Sequence, residues 1–359
     1  MLKNSLQGLK VVELATVLAG PAVGMFFAEL GAEVIKVENK KNNGDPTRGW
    51  KSIHEPKEDP ASAYYHCVNW NKEVVFLNLL DETDRSKLEK LLKVADVLIV
   101  NFKSGDAEKF DLKNSVLRER YPTLIIGEIL GFESEERVAY DAVLQAEAGM
   151  MSINGNPGDQ PLKLPIAFID ILAAHQLKEG ILLALLKRYE SGNGTLVSTS
   201  LYRSALASLI NQSSTYLNTN TVPQQLGSLH PNIAPYGEIV KSKDDQPILL
   251  AVGTDGQFQA LCGMLKKVKI STDIRFKSNA DRVKNRMALK EVLVEEFEKF
   301  DANTILSQLH KFKVPAAKIR KLDEVLNEKM AQEMVLEQME SNGKISKRMA
   351  TVAFKLESI

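Results

Sequence analysis

One carboxylate stands where carboxylates are scarce. It is Asp170, in the stretch Leu164-Pro165-Ile166-Ala167-Phe168-Ile169-Asp170-Ile171-Leu172-Ala173-Ala174. Pro165 and the apolar residues after it lead into a helical run from Ile169 to about Tyr189. That run carries Ile171, Leu172, Leu177, Ile181, Leu182, Leu185 and Leu186, with alanines between them. Apolar residues around most of the circumference predict a helix buried inside a large domain. Asp170 then falls in the first turn of a helix with dry surroundings. Unpaired N–H groups and the positive end of the helix dipole favour its ionised form. Desolvation pushes the other way and makes the carboxylate a better nucleophile. At this point two readings stand side by side: a first-turn acid that caps the helix, and a nucleophile.

The other reactive side chains form no constellation. The five histidines are scattered at 54, 66, 175, 230 and 310 with no metal-ligand spacing, so no metal site is expected. His175 and Glu179 lie one helical turn apart and read as a satisfied pair on the buried helix. Cys67 and Cys262 are far apart and read as reduced core thiols of a cytoplasmic protein. There is no G-x-S-x-G elbow and no Walker sequence. Lys plus Arg and Asp plus Glu both number 46. This balance gives no overall drive toward nucleic acid or an anionic membrane, and leaves room for a local basic pocket. Residues 1–8 lack the apolar core of a signal peptide. Asp170, His175, Lys178 and Glu179 interrupt the long helix, so it is not expected to span a membrane. A soluble protein without membrane or nucleic-acid partners is expected.

The elements that must position Asp170 read as α/β. Leu9–Ala15 is a strand, Thr16–Pro21 a turn, Ala22–Leu30 a helix stopped by Gly31, and Glu33–Glu38 the next strand. This βαβ unit seeds a parallel sheet, but its turn, Leu18-Ala19-Gly20-Pro21, lacks the dinucleotide fingerprint. Strands are predicted at 73–79, 96–100, 124–127 and 195–200, with helices at 81–94 and 201–216. A polar segment, 217–225, reads as a linker. Beyond it come a hairpin over 238–252, helices at 255–265, 281–299 and 302–311, and a short strand at 314–319. The tail reads as a helix from Leu322 to about Glu340 and a last strand from Met349 to Phe354. The length of 359 residues suits two domains. The expected division is a large Rossmann-like domain over 1–216, a linker over 217–225, a smaller α+β domain over 226–320, and a return segment, 321–359, packing on the large domain.

A set of short motifs follows in order along the chain. They are Val-Val-Glu-Leu-Ala at 11–15, Leu-Ala-Gly-Pro at 18–21, Leu-Gly-Ala-Glu-Val-Ile-Lys-Val-Glu at 30–38 and Gly-Asp-Pro-Thr-Arg at 44–48. Asn71-Lys72, the run 95–102, Tyr140-Asp141 with Gln145-Ala146 and Gly149, the Asp170 block, the run 180–185 with Arg188 and Gly194, and His230–Tyr236 complete the series. Together, over nearly the whole chain, these motifs resemble the class III CoA-transferases, the enzymes similar to formyl-CoA transferase and the carnitine CoA-transferases, with α-methylacyl-CoA racemase as a relative.

The resemblance implies an interlocked homodimer, two chains threaded like links. It implies that CoA moves from an acyl-CoA thioester to a carboxylic acid, with Asp170 as the catalytic aspartate passing through an anhydride and an aspartyl-CoA thioester. Coenzyme A enters as a substrate, and no tightly bound cofactor is implied. The residues implied in binding it are Leu18 and Ala19 in the first loop, and Asn39 and Lys40 beside the adenosine. Asn69, Trp70, Asn71 and Lys72, with Asn101, Phe102 and Lys103, match the loops at strand ends. Lys109 meets phosphate, and Val138, Ala139, Tyr140 and Asp141 lead into the site. Two alternatives accompany this reading: a 2-methylacyl-CoA racemase or epimerase, and a catalytically silent acyl-CoA-binding homologue. Tyr140 stands where the racemases carry a histidine, and a phenol is a poor base near neutral pH. Glu133-Ser134-Glu135-Glu136 replaces the family's glycine-rich loop after the strand at 124–130. No glycine-rich active-site loop lies between Gly227 and His230, so formate and oxalate are not implied as substrates.

Overall fold

The computed structural model describes residues 4–133 and 137–357. Ser134, Glu135 and Glu136, in the charged loop singled out above, lie outside the described residues. The chain divides into two compact units. One comprises the chain up to Met150, Lys163–Thr221 and the segment from Gln332 onward; the other comprises Met151–Leu162 and Val222–Ala331.

The first unit is built on six parallel strands: β1 (Lys10–Leu14), β2 (Glu33–Asn39), β3 (Glu73–Leu77), β4 (Val97–Val100), β5 (Ile125–Leu130) and β6 (Leu196–Ser200). Their order across the sheet is β3-β2-β1-β4-β5-β6. The chain therefore reverses its direction of travel between β1 and β4, the doubly wound arrangement of a Rossmann-like sheet. Alternation along each strand feeds two cores. Val11, Val97, Ile99, Ile125 and Ile129 face the helices Ala19–Glu29 and Phe168–Ser191. Val12, Leu14, Leu98, Val100 and Ile126 pack with Leu88, Leu92, Leu112 and Leu117 on the other face.

Several elements differ from expectation. The first helix begins at Ala19, ahead of Pro21. Proline is tolerated there because the first-turn N–H groups have no partner inside the helix. The predicted helices at 201–216 and 281–299 each break in two, at Leu209 and at Asn285. The long helix runs from Phe168 to Ser191 and ends at Gly192 with φ 73°. It is buried on one side only. Ile169, Ala173, Ala174, Leu177, Ile181 and Ala184 face the core, whereas Leu183, Leu186 and Tyr189 face outward. His175 and Glu179 are also on the exposed side.

The second unit carries an antiparallel sheet of β7 (Tyr236–Lys241), β8 (Pro247–Ala251) and β9 (Ala316–Lys318). Its core gathers Phe258, Phe276, Phe297, Leu289, Leu293 and Ile305. The tail departs most from the sequence reading. Helices at Leu322–Leu326 and Lys329–Glu333 are short, and an antiparallel hairpin follows, β10 (Val335–Met339) and β11 (Ile345–Met349). Asn342-Gly343 between them, with Gly343 at φ 79°, is a hairpin turn that the apolar spacing of 322–340 masked. The tail then crosses the first helix, where the Glu29 carboxylate accepts the N–H groups of Thr351 and Val352 and the Thr351 hydroxyl. Among the described residues no helix is long and apolar enough to cross a membrane.

Candidate active site

Helix Phe168–Ser191 leads into β6 and packs on β5 and β6 as the crossover element before a parallel strand, so it runs against the strands. Its N-terminus consequently opens at the carboxyl edge of the sheet, where open α/β sheets bind ligands. Asp170 is the third helical residue there.

No side chain at Ala167 can cap this helix, and the cap comes from elsewhere in the chain. Asp141 Oδ2 accepts the Ile169 N–H at 2.7 Å. Asp141 begins the helix Asp141–Glu147, and Gln145, one turn on, donates to Asp141 Oδ1 at 2.5 Å. Gln145 Oε1 also accepts the Leu164 N–H at 2.7 Å. Asp170 is therefore not the cap. It is only 8% exposed, and among the described residues nothing donates a hydrogen bond to its carboxylate. Burial, and after it the Asp141 carboxylate, pushes Asp170 from 3.8 up to about 7. The same place raises Tyr64 to about 12, burial first and the charge of Asp170 second. The edge of Tyr64 rests on Trp50, with ring centroids 5.1 Å apart.

Beneath the site lies an ionic cluster that the sequence reading missed. Glu13, fully buried on β1, takes Lys36 Nζ on one oxygen and Lys72 Nζ on the other, each at 2.8 Å. Lys36 also reaches Asp45 at 3.1 Å and donates to the Ala15 carbonyl at 2.7 Å. Asp45 in turn accepts N–H groups from Val17 and Thr47. Burial alone would raise Glu13, but the two ammonium groups outweigh it and hold it low. Lys36, facing Glu13 and Asp45, is raised despite burial. Lys72 has one carboxylate and a neighbouring ammonium, so burial prevails and lowers it to about 8. A Cβ at Gly24 would sit 1.9 Å from Glu13 Oε2, so only glycine lets the first helix close over this cluster. The signal was present as a charged residue at the centre of each of two apolar strands, Val-Val-Glu-Leu and Val-Ile-Lys-Val.

The residues implied in CoA binding separate into two groups. Leu18, Ala19, Asn39, Lys40, Asn101, Phe102 and Lys103 follow the carboxyl ends of β1, β2 and β4, on the edge that Asp170 shares. Asn101 ties two of these loops at the point where strand order reverses, accepting the Thr16 N–H at 3.0 Å and donating to the Thr16 carbonyl at 2.8 Å. Asn39 closes a 3-10 turn by accepting the Lys41 N–H, and Lys40 is exposed. Lys109 is exposed, its ammonium 5.4 Å from the centre of the Phe110 ring. Val138 and Tyr140 are exposed ahead of Asp141, with Ala139 half-buried between them.

The segment Asn69–Lys72 needs correction. It precedes β3 and so lies at the strand's amino end, not at the carboxyl edge. Lys72 has its ammonium enclosed by Glu13, Asn69 and the Pro21 carbonyl, leaving no proton to offer a ligand. Asn69 completes that enclosure. Trp70 Nε1 donates to the Glu337 carbonyl, and the Asn71 N–H donates to Gln338, so both fasten the tail hairpin. The loop that does continue the carboxyl edge at β3 is Asn78–Leu80, of which the expected strand at 73–79 takes in Asn78 and Leu79.

Both cysteines are free thiols, Cys67 half-buried and Cys262 buried, and burial raises each to about 11. Neither is an activated nucleophile. Among the described residues no group of three His, Cys, Asp or Glu side chains could hold a metal ion.

Residues 6–358 match the family described as CoA-transferase family III. The chain belongs to that family. It is 36% identical over 337 residues to a succinate–glutarate CoA-transferase of Agrobacterium fabrum, covering 92% of this chain and 84% of that one. It is 32% identical over 330 residues to an acetyl-CoA:oxalate CoA-transferase of Acetobacter aceti, covering 90% and 83%. Among solved structures, a CaiB/BaiF family protein from Brucella suis superposes with a TM-score of 0.85 at 33% identity, over 99% of this chain and 93% of that one. The family III CoA-transferases act on CoA thioesters, and in this member the buried Asp170 lies at the carboxyl edge of the Rossmann-like sheet.

Proposed function

We propose that this CoA-transferase works through covalent catalysis at Asp170, exchanging CoA between short dicarboxylic acids. The observation that carries the reading is the state of Asp170. It is a nearly buried carboxyl to which nothing among the described residues donates a hydrogen bond, raised to about 7, at the carboxyl edge of the sheet. A carboxylate of that basicity, stripped of water, is a strong nucleophile for its class.

The reaction balances as four displacements. The Asp170 carboxylate attacks the thioester carbonyl carbon of the donor, and CoA thiolate leaves a mixed anhydride. The thiolate attacks the Asp170 acyl carbon, releasing the donor acid and forming an aspartyl-CoA thioester. The acceptor carboxylate attacks that thioester, CoA thiolate leaves, and a second anhydride forms. The thiolate takes the acceptor acyl group from it, and Asp170 is free again. The first step needs Asp170 ionised, so transfer by the free enzyme should rise with pH through about 7. A racemase would need a second group near neutral pKa, and Tyr64, at about 12, is a poor one.

CoA lies along the carboxyl edge in this reading, with Asn39 and Lys40 beside its adenosine, Lys103 and Lys109 offered to its phosphates, and Leu18, Asn78–Leu80, Asn101 and Phe102 along the same edge. The similarity to a succinate–glutarate CoA-transferase supports dicarboxylates as donor and acceptor. The enzyme is cytoplasmic and a homodimer, interlocked through the segments 217–225 and 320–328. The apolar outer side of the long helix, with Leu183, Leu186 and Tyr189, supports a partner surface. The test is a mass-spectrometric screen of acyl-CoA donors against short carboxylates, beginning with succinyl-CoA and glutarate. Glutaryl-CoA formation that Asp170→Asn abolishes supports the reading. CoA-ester binding with no exchange across the whole screen overturns it.

A further inference from the structure

Between Met150 and the long helix the chain crosses 161–167 without regular structure, yet Asp170 must be presented in one orientation. Two side chains of the helix Asp141–Glu147 supply what that segment lacks. Gln145 is fully buried and meets the backbone from both ends of its amide. Oε1 accepts the Leu164 N–H at 2.7 Å, and Nε2 lies 3.5 Å and 3.4 Å from the carbonyl oxygens of Leu164 and Ile166. The same Nε2 holds Asp141, whose other oxygen caps Ile169, the residue next to Asp170.

We propose that Asp141 and Gln145 are the positioning pair of the transferase: Gln145 fixes the approach to the helix, and Asp141 occupies the helix N-terminus so that Asp170 cannot. The proposal rests on Asp170 as nucleophile. It gives two neighbouring carboxylates opposite tasks. Asp141 consumes the N–H that would otherwise stabilise and blunt the Asp170 charge, and it adds its own negative charge beside it. The titratable groups facing Asp170 are Asp141 from one helix and Tyr64 from another, and the phenol stays neutral. A local cap, such as serine at 167, would hold the helix equally well. It would not hold a charge beside the nucleophile.

The functions of the pair can be removed one at a time. In Asp141→Asn the side-chain oxygen still caps Ile169, but the charge is gone. In the double variant Asp141→Asn/Gln145→Glu the amide donates to the new carboxylate, which still accepts the Leu164 N–H but no longer donates to the Leu164 and Ile166 carbonyls, and the charge moves to position 145. Gln145→Leu removes all three backbone contacts and the bond to Asp141. Transfer should be followed against pH in all four proteins, with a melting curve on each to establish folding.

For Asp141→Asn the acid limb of kcat/KM is expected to move down by about one pH unit. Gln145→Leu is expected to lose kcat by roughly ten- to a hundredfold with KM for acyl-CoA little changed. The double variant should regain most of that kcat, with an acid limb between the other two. A wild-type acid limb in Asp141→Asn, or a double variant no better than Gln145→Leu while melting like wild type, overturns the positioning role. Trapping of the acyl intermediate on Asp170 in wild type separates this failure from failure of the nucleophile itself: a trapped Asp170 with unmoved pH limbs removes only the pair.

Discussion

Asp141 and Asp170 share one helix N-terminus and divide it unequally. Asp141 takes the Ile169 N–H at 2.7 Å, and Asp170, 8% exposed, is left with burial and a like charge. The folded protein therefore binds the Asp170 proton more tightly than the unfolded chain does. Stability should fall as pH rises between about 4 and about 7, with the whole penalty present above about 7. Replacing the carboxyl by an amide removes that penalty. Asp170→Asn should be inactive yet melt higher than wild type at pH 8, and melt alike at pH 4. The gain is roughly 4 kcal/mol at most, reduced by whatever water reaches the site. Calorimetric melting of both proteins at the two pH values checks this, and a variant less stable at pH 8 would contradict it.

The cluster around Glu13 makes the opposite prediction. Glu13 neutralises two enclosed ammonium groups, so Glu13→Gln leaves Lys36 with Asp45 alone and Lys72 with no carboxylate. Breaking a buried ion pair from one side costs about 3–5 kcal/mol. Urea titration should show a loss of that order with an unchanged slope. A loss below about 1 kcal/mol would mean that the cluster is not what holds the first helix to the sheet.

How much of this was legible in the sequence follows from the physics of each signal. The sheet was legible because Val-Val-Glu-Leu, Glu-Val-Ile-Lys-Val and Val-Leu-Ile-Val are apolar on both faces, as parallel strands between helices must be. Asp170 was legible because a first-turn carboxyl on an apolar helix is rare enough to notice. Its cap was not: Asp141 lies 28 residues before Ile169, and nothing local distinguishes it from an ordinary first-turn acid of its own helix. Lys72 reads as a CoA contact because the resemblance matches its loop to a ligand-binding one, and only the register of β1, β2 and β3 shows its ammonium reaching inward to Glu13. The tail hairpin was missed because Val335–Met339 is too short for its period to separate strand from helix. The outward leucines of the long helix read as core because the apolar pattern alone does not say which side of the helix its own chain covers.

That last point is testable. If the outer side of the long helix is a subunit surface, Leu186→Glu combined with Tyr189→Glu should abolish the dimer, since these side chains are 67% and 94% exposed in the single chain. Light scattering during size exclusion should report a dimer for wild type, and monomer or aggregate for the variant. A wild-type protein that dilutes reversibly to a folded monomer would remove the interlocked dimer from the account, because threaded chains separate only by partial unfolding.

The central claim is that CoA passes through the Asp170 carboxyl, and chemical capture tests it most directly. Wild-type protein is incubated with succinyl-CoA and quenched with hydroxylamine, which converts an anhydride or thioester of aspartate to its hydroxamate. Peptide mass spectrometry then locates the label. The account predicts hydroxamate at Asp170, dependent on the acyl-CoA and absent from Asp170→Asn. An unmodified Asp170 in protein that turns over, together with undiminished transfer by Asp170→Ala, would contradict it.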